Sequence, residues 1–166
     1  MTTSYPLKKY LSIHGYVKYS DVDEKIDKIK KAIFKKLNKA EKEISDFDVI
    51  KFIHEKKMRT LKDLSELQSE CYGMALLLNE IDLPHIEHLI EANKYELLRY
   101  KKDGLEKVEI LADVGCEHCR KNHGLVLSID KALEKMLIPN KNCSHIIYKG
   151  AEPFCRCSYI PCIIVN

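Results

Sequence analysis

Of the seven cysteines in this 166-residue chain, every one except Cys71 falls between Cys116 and Cys162. This grouping constrains the fold more than any other feature, because thiols gathered in one stretch must pair, bind a metal or pack as small apolar groups. The N-terminal Met1-Thr-Thr-Ser-Tyr-Pro6 has no basic region followed by an apolar stretch and a small-residue cleavage site, so no export signal is read and a cytoplasmic location is expected. In a reducing compartment structural disulfides are disfavoured, and grouped thiols point to metal ligands. Zinc is the expected ion: thiolates are soft, and a tetrahedral site with bonds of about 2.3 Å needs only four sulfurs.

Five cysteines are candidate ligands: Cys116, Cys119, Cys143, Cys155 and Cys157. In Cys116-Glu-His-Cys119 two intervening residues allow a tight turn whose amides point at the sulfurs, framed by Gly115 and Gly124 as in a zinc knuckle. Cys155-Arg-Cys157 is a second pair. In an extended segment residues two apart share a face, so both sulfurs can turn the same way. One ion needs four ligands, so either Cys143 or a member of the second pair is spare, or another set forms.

Other uses of thiols stay open. A redox pair would sit at the start of a helix beside a βαβ unit, whereas this motif lies between two expected strands; disulfides would suit a cell or virion surface. Cys71, on an apolar helical stripe, and Cys162, on the strand face opposite Cys155 and Cys157, are expected to be core thiols. His118 falls within the knuckle turn, pointing to solvent. His123 and His145 are alternative ligands, and His85, His88 and Glu91 could share a metal on a helix. A four-thiolate zinc site carries a formal charge of −2, which Arg120, Lys121 and Arg156 beside the ligands would offset.

Ahead of the cysteines the chain has helical periodicity. Val22, Ile26, Ile29, Ile33, Leu37, Ala40 and Ile44 recur at steps of three and four, giving one long amphipathic helix after a cap at Ser20 or Asp21. Tyr5 to Tyr19 forms a lead-in, extended or as a short helix. A second helix is expected over Asp46 to Lys57, with Phe47, Ile50 and Ile53 inward. Thr60 opens a third, with Asp63 three residues on and Leu61, Leu64, Leu67, Cys71, Ala75 and Leu78 buried. Pro84 begins a fourth, His85 to Lys102, carrying Ile86, Leu89, Ile90, Leu97 and Leu98 and stopped by Asp103-Gly104. Val108, Ile110 and Ala112 then alternate with polar residues as one strand face. After a turn at Asp113-Val114-Gly115, Gly124-Leu-Val-Leu is a returning strand. Ser128 caps a brief helix to about Leu137, ended by Pro139, and Cys155 to Val165 is a closing strand. The fold class is therefore α+β: a mainly helical N-terminal bundle (residues 1–104) with a small C-terminal zinc-bound β module (residues 105–166).

Charge is uneven: 16 Lys and Arg face 10 Asp and Glu over residues 1–63, 5 face 11 over 64–115, and 7 face 4 over 116–166. Acidic residues interleave with the lysines of the first third at helical spacing, the pattern of a solvated helix face. Apolar runs such as Met74–Leu78 and Ile160–Val165 fall far short of the roughly 20 residues of a membrane span. No His-x-Glu with Pro-Cys-x-x-Cys, no paired histidines between the cysteines and no glycine-rich phosphate loop appears. Catalysis thus has no motif to rest on, although an unfamiliar constellation stays open.

The order Cys116-x-x-Cys119, Gly124, Pro139, Cys143, then Cys155-Arg-Cys157-Ser-Tyr-Ile-Pro161 resembles the C-terminal cysteine motif of phage minor head, or head-morphogenesis, proteins. The likeness covers about 46 residues, Cys116 to Pro161, and implies a structural metal site in an assembly protein. Where that family commonly has His-Pro before Cys-Arg-Cys, this chain has Glu152-Pro153-Phe154. The expected function is a zinc-binding structural or assembly protein acting as a non-catalytic binding module, with a protein partner or self-association. The alternative is DNA binding: residues 46–80 look like a helix-turn-helix with Glu70 to Glu80 as recognition helix. However, Cys71-Tyr-Gly-Met-Ala-Leu-Leu-Leu78 lacks the Arg, Asn or Gln that reads base edges.

Overall fold

A computed structural model describes residues 9–11, 22–37, 44–112 and 116–162. By contact the chain divides into two compact units, Met1–Thr60 and Leu61–Asn166, rather than at residues 104 and 105. The reason is packing: Ala75, Leu89, Leu97 and Tyr100, on helices read as part of the N-terminal bundle, share one buried core with Val108, Ile110 and Tyr159 of the sheet and with the cysteines.

In the first unit α1 spans Val22–Leu37 and α2 spans Asp46–Met58. Ile26 and Ile33 are buried, as the periodicity requires. The single helix expected to continue to Ile44 does not: Ile44 and Ser45 are non-helical. Ser45 instead starts α2 with a capping box, its hydroxyl oxygen accepting from the Asp48 N–H at 3.1 Å while the Asp48 carboxylate takes the Ser45 N–H at 2.9 Å. Along α2 the buried residues are Val49, Ile50, Ile53 and His54, and Phe47 is exposed. Ile50 and Ile53 are thus inward as expected, and only Phe47 departs from the expected stripe. Most of the lead-in, Tyr5 to Tyr19, lies outside the described residues; 9–11 are helical, with Tyr10 and Leu11 buried.

The second unit carries α3 (Leu64–Glu80) and α4 (Ile86–Lys102), which pack on each other. Asp63, not Thr60, caps α3: its carboxylate accepts from the Ser65 and Glu66 N–H groups at 2.9 and 3.1 Å. The Thr60 hydroxyl donates back to the Lys57 carbonyl. At the end of α4 the expected stop forms a Schellman motif. Gly104, at φ +82°, donates to the Lys101 carbonyl and Leu105 to that of Tyr100, a left-handed turn that glycine adopts without a Cβ clash.

Three strands, β1 (Lys107–Leu111), β2 (Val126–Ser128) and β3 (Ser158–Pro161), form an antiparallel sheet in the order β2-β1-β3. Val108 lies opposite Leu127 and Ile110 opposite Tyr159. As the alternation predicts, Val108, Ile110 and Ala112 are buried on one side. A one-turn helix, α5 (Glu117–Arg120), holds the first cysteine pair, and α6 (Ile129–Lys135) begins at Ser128, whose hydroxyl accepts from the Lys131 N–H. This helix ends before Pro139 acts: Met136 takes a left-handed conformation at φ +40°. The closing strand is also shorter than expected within the described residues, starting at Ser158 because the backbone before it is directed to the cysteine region. The chain is thus α+β, mostly helical with a small three-stranded antiparallel sheet.

Candidate metal centre

The turn after β1 lies outside the described residues at 113–115, and the chain re-emerges at Cys116, which caps the single turn of α5. The motif therefore does begin a short helix, unlike the strand-to-strand turn expected. One turn of helix puts residues three apart on the same side, and the Cys116 and Cys119 sulfurs are 3.6 Å apart. Cys143 arrives from a turn in which its N–H donates to the Asn140 carbonyl, placing its sulfur 3.9 Å from that of Cys116. Cys155 comes from the segment before β3 and reaches Cys119 at 3.8 Å. Cys157 completes a group with Cys119 and Cys155 in which all sulfurs lie within 4.8 Å of one another.

The five sequence-predicted ligands thus gather as two groups, Cys116–Cys119–Cys143 and Cys119–Cys155–Cys157, that share Cys119. Sulfurs around a tetrahedral ion with 2.3 Å bonds are separated by about 3.8 Å, close to the three distances above, whereas a disulfide requires about 2.05 Å. All seven cysteines are free thiols. The cluster could hold a metal ion. Cys119 is 0% exposed and Cys155 2%, so an ion there would be shielded from water. The Cys-Arg-Cys pair does not lie in a strand as expected: the Phe154 N–H goes to the His145 carbonyl at 2.7 Å, and Cys155 reaches Cys119 before the chain joins β3 at Ser158.

Backbone amides supply the local electrostatics. The His145 N–H donates to Cys143 Sγ at 3.5 Å and the Asn140 N–H to Cys155 Sγ at 3.3 Å, the kind of donor that stabilises a thiolate. For Cys116, burial pushes the thiol up, but the N–H groups of Ser144 and Cys119 and their side chains outweigh it and bring the pKa down to about 6. The Cys155 thiol is lowered, first by the hydrogen bond from Cys157, against its burial, and then by the Asn140 N–H. Cys157 is raised as the donor of that bond, and Cys119 is raised by burial and then by the charge on Cys155. Burial also raises Cys143. A bound cation would favour the thiolate form of each of these sulfurs.

The remaining predicted groups lie elsewhere. Cys71 is buried, its thiol pushed up to about 12 by burial and then by the charges of Glu91 and Glu70. Cys162 is only half-buried, unlike the core position expected for it. His123 Nδ1 accepts the Ala112 N–H at 3.1 Å, which engages it with the end of β1. No histidine belongs to either metal-competent group among the described residues. His85 is buried and stacks on Phe154, ring centroids 5.2 Å apart. Arg120 and Arg156 are exposed, and the Arg156 charge is felt at Tyr72. In the stretch Glu70 to Glu80, Tyr72 alone is exposed; Glu70, Cys71, Met74, Ala75, Leu77, Leu78 and Asn79 are buried.

Two residues that carry the centre escape the sequence reading. Asn140 donates its N–H to Cys155 Sγ and its side-chain amide to the His118 carbonyl at 3.4 Å, while its Oδ1 accepts the Asn142 N–H at 2.9 Å. It ties the strands of chain bearing Cys119, Cys143 and Cys155 to one another. Its position three residues before Cys143, directly after Pro139, is the turn signal that could have marked it. Phe154 is fully buried, between His85 and the edge of Tyr72 at 6.0 Å, and fixes the backbone next to Cys155. Burying such a side chain contributes roughly 1.5–3 kcal/mol.

Comparison with known protein families, with curated proteins and with solved structures finds no match for the chain. Among the described residues no helix is long and apolar enough to cross a membrane.

Proposed function

We propose that the chain is a zinc-binding structural protein that acts by assembly or by holding a partner, not by catalysis. The observation that carries this reading is the convergence of Cys116, Cys119, Cys143 and Cys155 at sulfur separations of 3.6, 3.9 and 3.8 Å around the fully buried Cys119. We assign these four as the ligand set, with Cys157 left over; Cys119 is common to the two groups Cys116–Cys119–Cys143 and Cys119–Cys155–Cys157, so Cys155 closes on the first group when the ion binds. An all-thiolate site leaves no open position for substrate or water, which distinguishes structural from catalytic zinc. Zinc fits the donors, since a soft, closed, four-sulfur site suits it, and carboxylate and imidazole ligands are absent from the metal-competent groups among the described residues.

The likeness to phage head-morphogenesis proteins rests on the spacing of these same cysteines and supports an assembly role. The ion's work is to fix the loops bearing the cysteines, so that the surface they present keeps one shape. The test is the metal content of the protein purified without added metal, by elemental analysis and native mass spectrometry, for the parent chain and for Cys116→Ser, Cys119→Ser, Cys143→Ser and Cys155→Ser. One zinc per parent chain, lost or weakened at least tenfold in each variant, is expected. A metal-free parent chain that keeps the same fold would overturn the proposal.

A further inference from the structure

Five thiols are one more than a single tetrahedral ion uses, and their arrangement accounts for the excess. The sulfurs gather as two triads, Cys116 with Cys119 and Cys143, and Cys119 with Cys155 and Cys157, each mutually within 4.8 Å; Cys119 belongs to both. Four-coordination leaves one sulfur of the five idle. Two three-coordinate ions that share a sulfur engage every one. We propose that the cluster also accepts a pair of soft monovalent cations of the copper(I) class, one in each triad, with the Cys119 thiolate bridging them. This rests on the reading that the thiols bind metal, but not on zinc being the only ion they take.

Three features support the pair. Around a three-coordinate ion with bonds near 2.3 Å, sulfurs are separated by about 4.0 Å, and the Cys116–Cys119 and Cys116–Cys143 edges of 3.6 and 3.9 Å and the Cys119–Cys155 edge of 3.8 Å need only small adjustments to reach it. Thiolates are the ligands that select copper(I) as well as zinc. The bridging position falls on the sulfur best shielded from water: Cys119 is 0% exposed, against 2% for Cys155 and 8% for Cys143 and Cys157, and exclusion of water protects copper(I) from oxidation. Two monovalent ions among five thiolates leave a formal charge of −3. The N–H groups of Asn140 and His145, already directed at Cys155 and Cys143, would take up part of that excess.

The 166-residue chain as purified is titrated with copper(I), supplied anaerobically as its acetonitrile complex, and the metal is counted by native mass spectrometry. X-ray absorption then reports whether a copper atom lies in the neighbouring shell of another. The parent chain is expected to bind two copper ions with a copper–copper shell. Cys157→Ser should hold one zinc as before but only one copper, with loss of that shell, and Cys119→Ser should lose both kinds of site. One copper in the parent chain, or two retained in Cys157→Ser, would overturn the shared-sulfur arrangement while leaving the metal centre standing. A chain that takes neither zinc nor copper would overturn both readings.

Discussion

Within the unit Leu61–Asn166, the helical pair α3–α4 and the stretch Met136–Cys157 are held in place by different physics. The helices satisfy their own backbone groups, and their ends are set by nearby residues: Asp63 caps one start and Gly104 closes one end. Residues 136–157 contain neither helix nor strand, yet Ile138, Cys143, Phe154, Cys155 and Cys157 are buried. Burial without regular structure requires some other acceptor for each N–H, and here sulfur and turn carbonyls serve. The comparison teaches that the helices are set by local caps and apolar packing, whereas the loop is placed by contacts distant in sequence, those of Phe154 and of its thiols among them.

Metal removal should break the two regions apart and give the largest effect. Structural zinc contributes on the order of 10 kcal/mol of apparent folding free energy in small thiolate sites. If the proposed zinc is bound, stripping it with a chelator, or introducing Cys119→Ser, should release the loop while α3 and α4 persist. Hydrogen exchange at the amides of Asn140, His145 and Phe154 should accelerate by orders of magnitude, with little change in far-ultraviolet circular dichroism. If the helices melt in the same step, the proposed separation is wrong.

The converse experiment attacks the helices. Leu97 is fully buried on α4 within the shared core, and Leu97→Ala should cost roughly 2–5 kcal/mol through lost burial and the cavity left behind. Denaturant unfolding measures it. Metal stoichiometry below the transition should stay at the parent value, because no ligand lies on that helix.

A smaller effect sharpens the boundary between the regions, where Tyr159 touches both. Its backbone carbonyl accepts from the Tyr100 hydroxyl at 3.3 Å, and its own hydroxyl accepts the Ile138 N–H at 3.4 Å. Tyr159→Phe keeps the ring but leaves that buried N–H without an acceptor, at a cost of about 1 kcal/mol. Faster exchange confined to Ile138 and its neighbours would locate the loss in the loop. A uniform change across α4 would place it in the core instead.

The same contrast explains what could be read from residue order. Apolar spacing places α3 and α4 nearly where they stand, and the alternation of Val108, Ile110 and Ala112 identifies β1, because these signals are local. The five candidate ligands were legible from clustering alone. Their geometry was not: the helical turn at Glu117, the irregular path through Cys155 and the role of Asn140 all depend on contacts between residues 15 to 36 positions apart, such as Asn140 with Cys155 and Cys119 with Cys155. Thr60 and Asp63 both carry cap-forming side chains. Only the folded backbone shows that Asp63 reaches the amides of Ser65 and Glu66.

The smallest predicted effect depends on pH and belongs to the helical side. Burial raises the pKa of Glu96 on α4, against the lowering effects of the hydrogen bond from the Tyr100 hydroxyl at 3.3 Å and of the Arg99 charge. A raised carboxyl pKa means that the folded chain holds this proton more tightly than the unfolded chain does. This contribution to stability is therefore full below the unfolded carboxyl value of about 4.3 and is lost as pH rises through the folded value. Glu96→Gln removes the charge and with it this pH dependence, so the variant should gain on the parent chain between acid and neutral pH. Paired denaturant melts across that window measure the difference. A variant that instead loses ground as pH rises would show that the interactions with Tyr100 and Arg99, rather than burial, govern this carboxylate.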